Sequence, residues 1–294
     1  MTSAGSLRAG SGGTVGFVGL GNMGAVLAHN LVQSGLDVVT HDIAGPERSP
    51  EGARFVSSVA DAAAAADTVV LSLPDGKASE VVTHAIVDAG GRVRHVVDTS
   101  TIGVTAAERI GGLLGHAGIG YVDAPVSGGI AGARSRTLLV MLAGSDDACS
   151  AAEPVLAGLS DRRIRVGDRP GLAQAMKLAN NFLSATALAA TSEAVAFGTA
   201  VGLDMATMLE VLNGASGQSN ATSEKFPQQV LTGRYAAGFA NHLMAKDVGL
   251  YLDEVASRGG PEEVGSLVAA LWRRFAAAEP GADFTAVYPF VQRS

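Results

Sequence analysis

The chain has 294 residues, 47% of them hydrophobic and 17% charged, with a formal net charge of −7 and an isoelectric point of about 5.3. That length and apolar content suit two buried cores and exclude a disordered chain. The acidic balance, with no basic stripe longer than Arg162, Arg163, Arg165 and Arg169, argues against a nucleic-acid binder.

Residues 1–13 are rich in Ser and Gly, lack the apolar segment of a secretory signal and are expected to form a flexible tail. Residues 14–20 (TVGFVGL) read as a strand buried on both faces, and 22–34 as a helix stopped by Gly35. A second strand is expected at 37–42, a short third at 55–56, helix around 61–66, and a fourth strand at 68–73 closed by Pro74. Residues 96–98, 121–123 and 138–143 continue the alternation, which predicts βαβ units and a mainly parallel sheet. Beyond Gly171 no strand pattern remains. One long helix is predicted over 172–201, a shorter one from the cap Asp204 to about Asn213, and two more over 239–258 and 262–278. Pro261 fits the first turn of the last. The predicted architecture is α/β. A Rossmann-type nucleotide domain at 14–172 is followed by an all-helical substrate and oligomerisation domain at 173–294, with a long helix at the junction. No run reaches the roughly 18 apolar residues of a membrane span, so a soluble, cytoplasmic protein is expected.

Gly19-Leu20-Gly21-Asn22-Met23-Gly24 is a G-x-G-x-x-G motif that follows a strand and opens a helix. Gly19 permits the tight turn, Gly21 lets backbone approach a pyrophosphate, and Gly24 allows helix and strand to pack closely. The helix N-terminus then faces the phosphates with N–H donors and the positive end of its dipole. Asp42 ends the second strand, 23 residues after Gly19, where an acid accepts the ribose hydroxyls of NAD. A 2′-phosphate there would meet like charge, so NAD is preferred over NADP, and nearby Arg48 softens that preference.

The single cysteine, Cys149, builds no intrachain disulfide or thiolate metal site, and none of the six histidines has metal-ligand spacing, so no metal is expected. His242 lies one helical turn before Lys246. There are 17 arginines but only four lysines, Lys77, Lys177, Lys225 and Lys246. Lysine, unlike arginine, loses its proton near neutral pH when desolvated. Lys177 and Asn181 are four apart on an apolar helix and share a face. Burial and a positive nicotinamide would lower the lysine pKa and make it a proton acceptor for a hydroxyl group. Asn180 points elsewhere. In 123–129 (DAPVSGG), Ser127, Gly128 and Gly129 form a loop with exposed amides that suits an oxyanion. Lys77 and Lys225 read as surface residues.

These motifs, with Leu73-Pro74, 98–101 (DTST) and Lys246-Asp247 in the same order, resemble the β-hydroxyacid dehydrogenase family over about residues 15–291. That family includes 3-hydroxyisobutyrate dehydrogenase and tartronate semialdehyde reductase. The resemblance implies a helical domain like that of 6-phosphogluconate dehydrogenase, with NAD as cofactor and NADP possible. It implies Lys177 as catalytic acid and base, Asn181 placing the substrate, and Ser127, Gly128 and Gly129 on the substrate carboxylate. Leu73 and Pro74 would touch the cofactor, Thr101 would lie beside the nicotinamide and substrate, Lys246 near the cofactor, and Phe239 in the substrate pocket or packed at the domain junction. Without the resemblance, Pro74 is a strand terminator and Thr101 a helix N-cap. A short 3-hydroxy acid or its semialdehyde is the implied substrate and a homodimer or homotetramer the implied assembly. The rivals are a glyoxylate, tartronate-semialdehyde or imine-type reductase on the same scaffold, and a non-catalytic NAD-binding interaction protein. Imine reductases of this superfamily typically lack the lysine. Two residues depart from the family pattern. Arg136 replaces glycine and would pair with a doubly charged acid or face water. Ala173 replaces the second glycine before Lys177 and would tighten the pocket slightly.

Overall fold

Strands without a polar face must be covered on both sides. The computed structural model, which describes residues 13–293, places them at the centre of one sheet. Residues 1–12 of the expected tail lie outside the described residues. β1 (Val15–Val18) pairs in parallel with β2 (Val38–His41) on one side and β4 (Thr68–Leu71) on the other. β3 (Arg54–Phe55) lies beyond β2, and β5 (His95–Asp98) and β6 (Gly120–Asp123) beyond β4, all parallel. The order β3-β2-β1-β4-β5-β6 is that of a dinucleotide-binding sheet, with its switch point between β1 and β4. β8 (Leu139–Ala143) continues it antiparallel to β6 and is flanked by β7 (Val126–Ser127), antiparallel, and β9 (Arg162–Gly167), parallel.

Side chains alternate along these strands and so build two cores. Phe17, Val70, Val97 and Val122 pack with Leu27 and Leu31 of α1 (Gly24–Gln33) and with Leu156 and Leu159 of α6 (Asp146–Leu159). Val18, Val69, Leu71 and Val96 pack on the other face with Ile86 of α3 (Gly76–Asp88) and Ile110 and Leu114 of α4 (Val104–His116), α2 (Val59–Ala65) adding Ala62 and Ala63. Ser58, Asp75 and Ser145 cap α2, α3 and α6 by accepting from Asp61 N, Ala78 N and Ala148 N.

The chain divides into two compact units after Gln174. The division falls in the first turn of α7 (Leu172–Ala200). α8 (Met205–Asn213) follows, capped by Asp204, then α9 (Asn241–Ser257), α10 (Glu263–Ala278) and α11 (Val287–Gln292). Leu188, Val195, Phe226, Met244, Val248, Phe275 and Phe284 surround Trp272, whose indole N–H donates to Ala185 O at 3.3 Å.

The Rossmann-type sheet followed by helices is therefore the architecture, with local differences. α1 starts at Gly24 because the fingerprint stays in turns through Met23. α9 starts at Asn241, and Pro261 precedes the N-cap Glu262 rather than entering the first turn. Strands β7 and β9 were not expected. β9 is the arginine-rich stretch: an edge strand that carries charge reads as surface. Residues Ala221–Val230 form a π-helical segment with Pro227 inside, a geometry without an apolar period to announce it. Among the described residues, no helix is long and apolar enough to cross a membrane.

Both departures from the family pattern serve the fold. Arg136 is half-buried and its guanidinium is bonded within the chain. Its guanidinium donates to Gly158 O at 2.7 Å and Ala157 O at 2.8 Å, the open carbonyls ending α6, and lies 3.4 Å from Asp161. The backbone is left-handed there, φ 59°, which costs a side chain what glycine does not lose. Ala173 is fully buried against Met141 and Ala143. We expect Arg136→Ala to lower stability by about 1–2 kcal/mol, and Arg136→Gly to lower it less because it relieves the strained backbone. Denaturant titration reads both. A rise in KM for acids with unchanged stability would return Arg136 to the substrate.

Candidate active site

The three fingerprint glycines are required by different neighbours. A Cβ on Gly19, whose φ is 97°, would stand 2.3 Å from Ser72 O, and one on Gly24 would stand 2.0 Å from Gly19 O. Gly21 is exposed and its Cβ would meet nothing within 4 Å. The chain's own packing thus requires the first and third glycines and does not require the second. No side chain caps α1 at Met23, so its first N–H groups are not taken by a capping side chain. Asp42 pins this loop: Oδ2 accepts from Leu20 N at 2.5 Å and Oδ1 from Ala44 N at 2.7 Å. Arg48 donates to Asn22 Oδ1 at 3.2 Å.

Across the switch point, Leu73 N donates to Ser100 Oγ at 2.8 Å, which joins the loops after β4 and β5. Pro74 is exposed, three residues beyond the end of β4. Thr101 is half-buried and is not the helix cap; that position belongs to Gly103, at φ 90°. The loop that holds Thr101 is fastened by Gln174, a residue the sequence reading passed over. The fully buried Gln174 accepts from Ile102 N (2.9 Å) and Gly103 N (3.3 Å) through Oε1. Its Nε2 donates to Ser100 O at 3.0 Å and Asp123 Oδ1 at 2.7 Å. Asp123 Oδ2 accepts from Gly171 N at 3.0 Å and Gln174 N at 3.1 Å, the start of α7. Burial pushes the Asp123 carboxyl up to about 6 against the pull of these donors, so the anion prevails at pH 7. Ser127 closes the two-residue β7, and Gly128 (φ 132°) and Gly129 (φ 66°) turn the chain into α5 (Gly129–Arg134), so the expected loop is a strand end plus a glycine turn.

In the helical unit, Lys177 and Asn181 lie on α7, 8% and 6% exposed. Asn181 Nδ2 donates to Asp247 Oδ2 of α9 at 2.6 Å. Asp247 Oδ1 is 3.2 Å from Lys246 Nζ. Asn180, expected to point elsewhere, donates to Asn181 Oδ1 at 3.1 Å. Phe182 stacks on Tyr251 with ring centroids 4.3 Å apart and clasps α7 to α9. Burial pushes the Lys177 amine down to about 8; Asp247 opposes the fall and Lys246 adds to it. Asp247 was visible only as the neighbour of Lys246, yet it is the buried acid of this cluster, 2% exposed. Phe239 sits edge-on to Phe284 at 5.7 Å in the helical core. His242 is exposed. Among the described residues no group of His, Cys, Asp and Glu is arranged to hold a metal.

A model for the NAD-binding domain of 6-phosphogluconate dehydrogenase matches residues 14–167, and one for the NAD-binding of NADP-dependent 3-hydroxyisobutyrate dehydrogenase matches 171–291. The probable 3-hydroxyisobutyrate dehydrogenase of Mycobacterium bovis is 35% identical over 286 residues, 93% of this chain and 96% of its own. This chain belongs to the β-hydroxyacid dehydrogenase family. The human mitochondrial 3-hydroxyisobutyrate dehydrogenase is 34% identical over 295 residues, covering 95% of this chain and 86% of that protein. The solved Mycobacterium tuberculosis 3-hydroxyisobutyrate dehydrogenase with L-serine superimposes with a TM-score of 0.89 at 33% identity, over 95% of this chain and 99% of that one. Membership makes the protein an NAD(P)-dependent oxidoreductase acting on CH–OH groups.

Holding Lys177 charged has a cost that family members share only if they bury it too. A fall from 10.5 to about 8, at about 1.4 kcal/mol per pH unit, amounts to about 3 kcal/mol. Between those values the unfolded chain binds more protons than the folded one, so this cost shrinks as pH rises from 8 to 10.5. Lys177→Met is therefore expected to melt a few degrees above wild type at pH 7 and to lose that lead above pH 9. A variant less stable than wild type at pH 7 would show that the ammonium is held favourably.

Proposed function

We propose that this protein oxidises a short 3-hydroxy acid, or reduces its semialdehyde, with Lys177 as the acid–base group. 3-Hydroxyisobutyrate is the first substrate to test. The observation that carries the reading is a lysine taken out of water beside a buried acid, with its pKa pushed down to about 8. A proton exchanger works best when its pKa lies near the working pH.

The bound cofactor accepts or supplies the hydride; the chain's own residues do the rest. As an alcohol is oxidised, its C–H leaves as hydride and its O–H proton passes to the neutral Lys177 amine. In reduction the ammonium returns that proton to the carbonyl oxygen. Asn181, oriented through Asp247, places the substrate oxygen, and Lys246 adds positive charge to the cluster. Ser127 and the backbone amides of Gly128 and Gly129 take the carboxylate. Asp42 accepts the ribose hydroxyls, Leu20 to Gly24 receive the pyrophosphate, and Leu73, Pro74 and Thr101 contact the cofactor from the loops beyond β4 and β5. Phe239 acts through packing. The assembly is a homo-oligomer built on α7, where Met176, Leu183 and Phe197 leave 44%, 64% and 70% of their surface uncovered at helical spacing, and Val201 just past its end leaves 64%.

Lys177→Ala is expected to lower kcat by about 10²–10⁴ while NAD binding, followed by calorimetry, stays within about twofold. In wild type the oxidation rate should rise with pH and level off above about 8, and the reduction rate should fall over the same range, because one needs the free amine and the other the ammonium. An initial-rate panel of 3-hydroxyisobutyrate, 3-hydroxypropionate, serine, glycerate and threonate names the substrate. Unchanged turnover in Lys177→Ala removes the assigned base, and tight NAD binding without turnover across the panel removes the enzyme reading.

A further inference from the structure

We propose that Gln174 is a positioning residue of the reaction: it holds the loop after β5 so that Thr101 meets the nicotinamide at a fixed place. The inference rests on the place beside the nicotinamide assigned to Thr101. Three observations point to it. First, the Gln174 amide grips the loop on both sides of that residue. Its Nε2 donates to Ser100 O at 3.0 Å, and its Oε1 accepts from Ile102 N at 2.9 Å and Gly103 N at 3.3 Å. Thr101 is the single residue between two anchored neighbours.

Second, exposure along the loop is confined to Thr101. From Val96 to Val104 every other residue is buried, and Thr101 is half-buried. The neighbouring hydroxyls are spent inside the fold. Thr99 Oγ1 donates to Leu71 O at 2.7 Å, and Ser100 Oγ accepts from Leu73 N at 2.8 Å. The anchoring therefore presents one side chain.

Third, the grip has a fixed orientation. α4 starts at the N-cap Gly103, which has no side chain to cap it. A helix start of this kind is commonly closed by a Glu or Gln of its own first turn, which reaches back to the N-cap N–H. Gln174 does so from 71 residues away. Its Nε2 also donates to Asp123 Oδ1 at 2.7 Å. An ionised carboxylate only accepts, so Nε2 must face Asp123 and Oε1 must face Ile102 and Gly103. The amide cannot flip, and the loop is set before any cofactor arrives. Hydride transfer needs reacting carbons about 3–3.5 Å apart, and a misplacement of about 1 Å costs about 100-fold in rate.

Calorimetric titration of the full chain with NADH and with ADP-ribose, which lacks the nicotinamide, reads the grip without turnover. It is run at pH 8, where the Asp123 carboxyl, with its pKa of about 6, is ionised. Gln174→Met keeps the length and removes every bond. Gln174→Asn keeps an amide too short for both partners, and decides the matter if the first variant does not fold. Either is expected to weaken NADH by roughly tenfold, because binding must then order the loop, and to leave ADP-ribose within about twofold. With a substrate from the hydroxy-acid panel, kcat should fall about 10–100-fold, and the isotope effect of NADH deuterated at C4 should rise. Equal losses for both ligands would make Gln174 a support of the whole domain and overturn the inference. So would an unchanged kcat. Thr101→Ala separates the two layers: a nicotinamide-specific loss there but not in the Gln174 variants overturns the grip alone, and no such loss in either overturns the place assigned to Thr101 as well. If wild type turns over nothing in the panel, the substrate reading fails, and the comparison of NADH with ADP-ribose still decides the grip.

Discussion

A carboxylate out of water survives only where donors replace the water. At Asp123 those donors decide the geometry around them. The residue ends β6, and its two oxygens take N–H groups from Gly171, from Gln174 and from the Gln174 side chain. One acid thereby fixes the start of α7 and, through the other end of the Gln174 amide, the backbone from Ser100 to Gly103. Every polar atom of the Gln174 side chain is used. An amide in that position cannot be exchanged for a carboxylate or a hydrocarbon without leaving a buried donor or acceptor unmatched. The loop that carries Thr101 is thus rigid for a reason outside the loop.

The helical unit has the opposite problem, a buried cation. Asp247 opposes the desolvation of Lys177 and at the same time accepts from Asn181 and neutralises Lys246. A single acid facing two lysines and an amide leaves the cluster short of negative charge. Burial, opposed only in part by that one acid, brings the Lys177 proton off near pH 8. A second carboxylate there would stabilise the unit and spoil the base. Lys246, 27% exposed along its side chain, keeps contact with water.

Much of the fold was legible because burial leaves periodic traces. The apolar runs at β1 and β4, the fingerprint before α1, the Asp204 cap and the Ala- and Leu-rich α7 all follow from composition and period. Gln174, Asp247 and the C-terminal grip of Arg136 on α6 left no such trace. Each matters through partners 21 to 74 residues away in sequence, and nothing in the neighbourhood of a residue announces a distant partner. β9 was hidden by its arginines and the π-helical segment by its lack of a recognised period. Of the candidate site, Lys177, Asn181 and Asp42 were readable because their types are out of keeping with an apolar helix or a strand end. The family resemblance supplied Thr101 and Phe239, and the structure places Phe239 in the core and Thr101 off the helix cap.

The glycines show how a structure separates residues kept for folding from residues kept for a ligand. Gly19 and Gly24 are explained inside the chain, since any side chain would strike Ser72 O or Gly19 O. Gly21 has room for a side chain and no positive φ to excuse its absence. The fold requires the two glycines that flank it and leaves Gly21 unexplained by packing. Arg136 is the converse. It was expected to pair with an acid or to face water, and its guanidinium bonds to Gly158 O and Ala157 O and pairs with Asp161 within the chain.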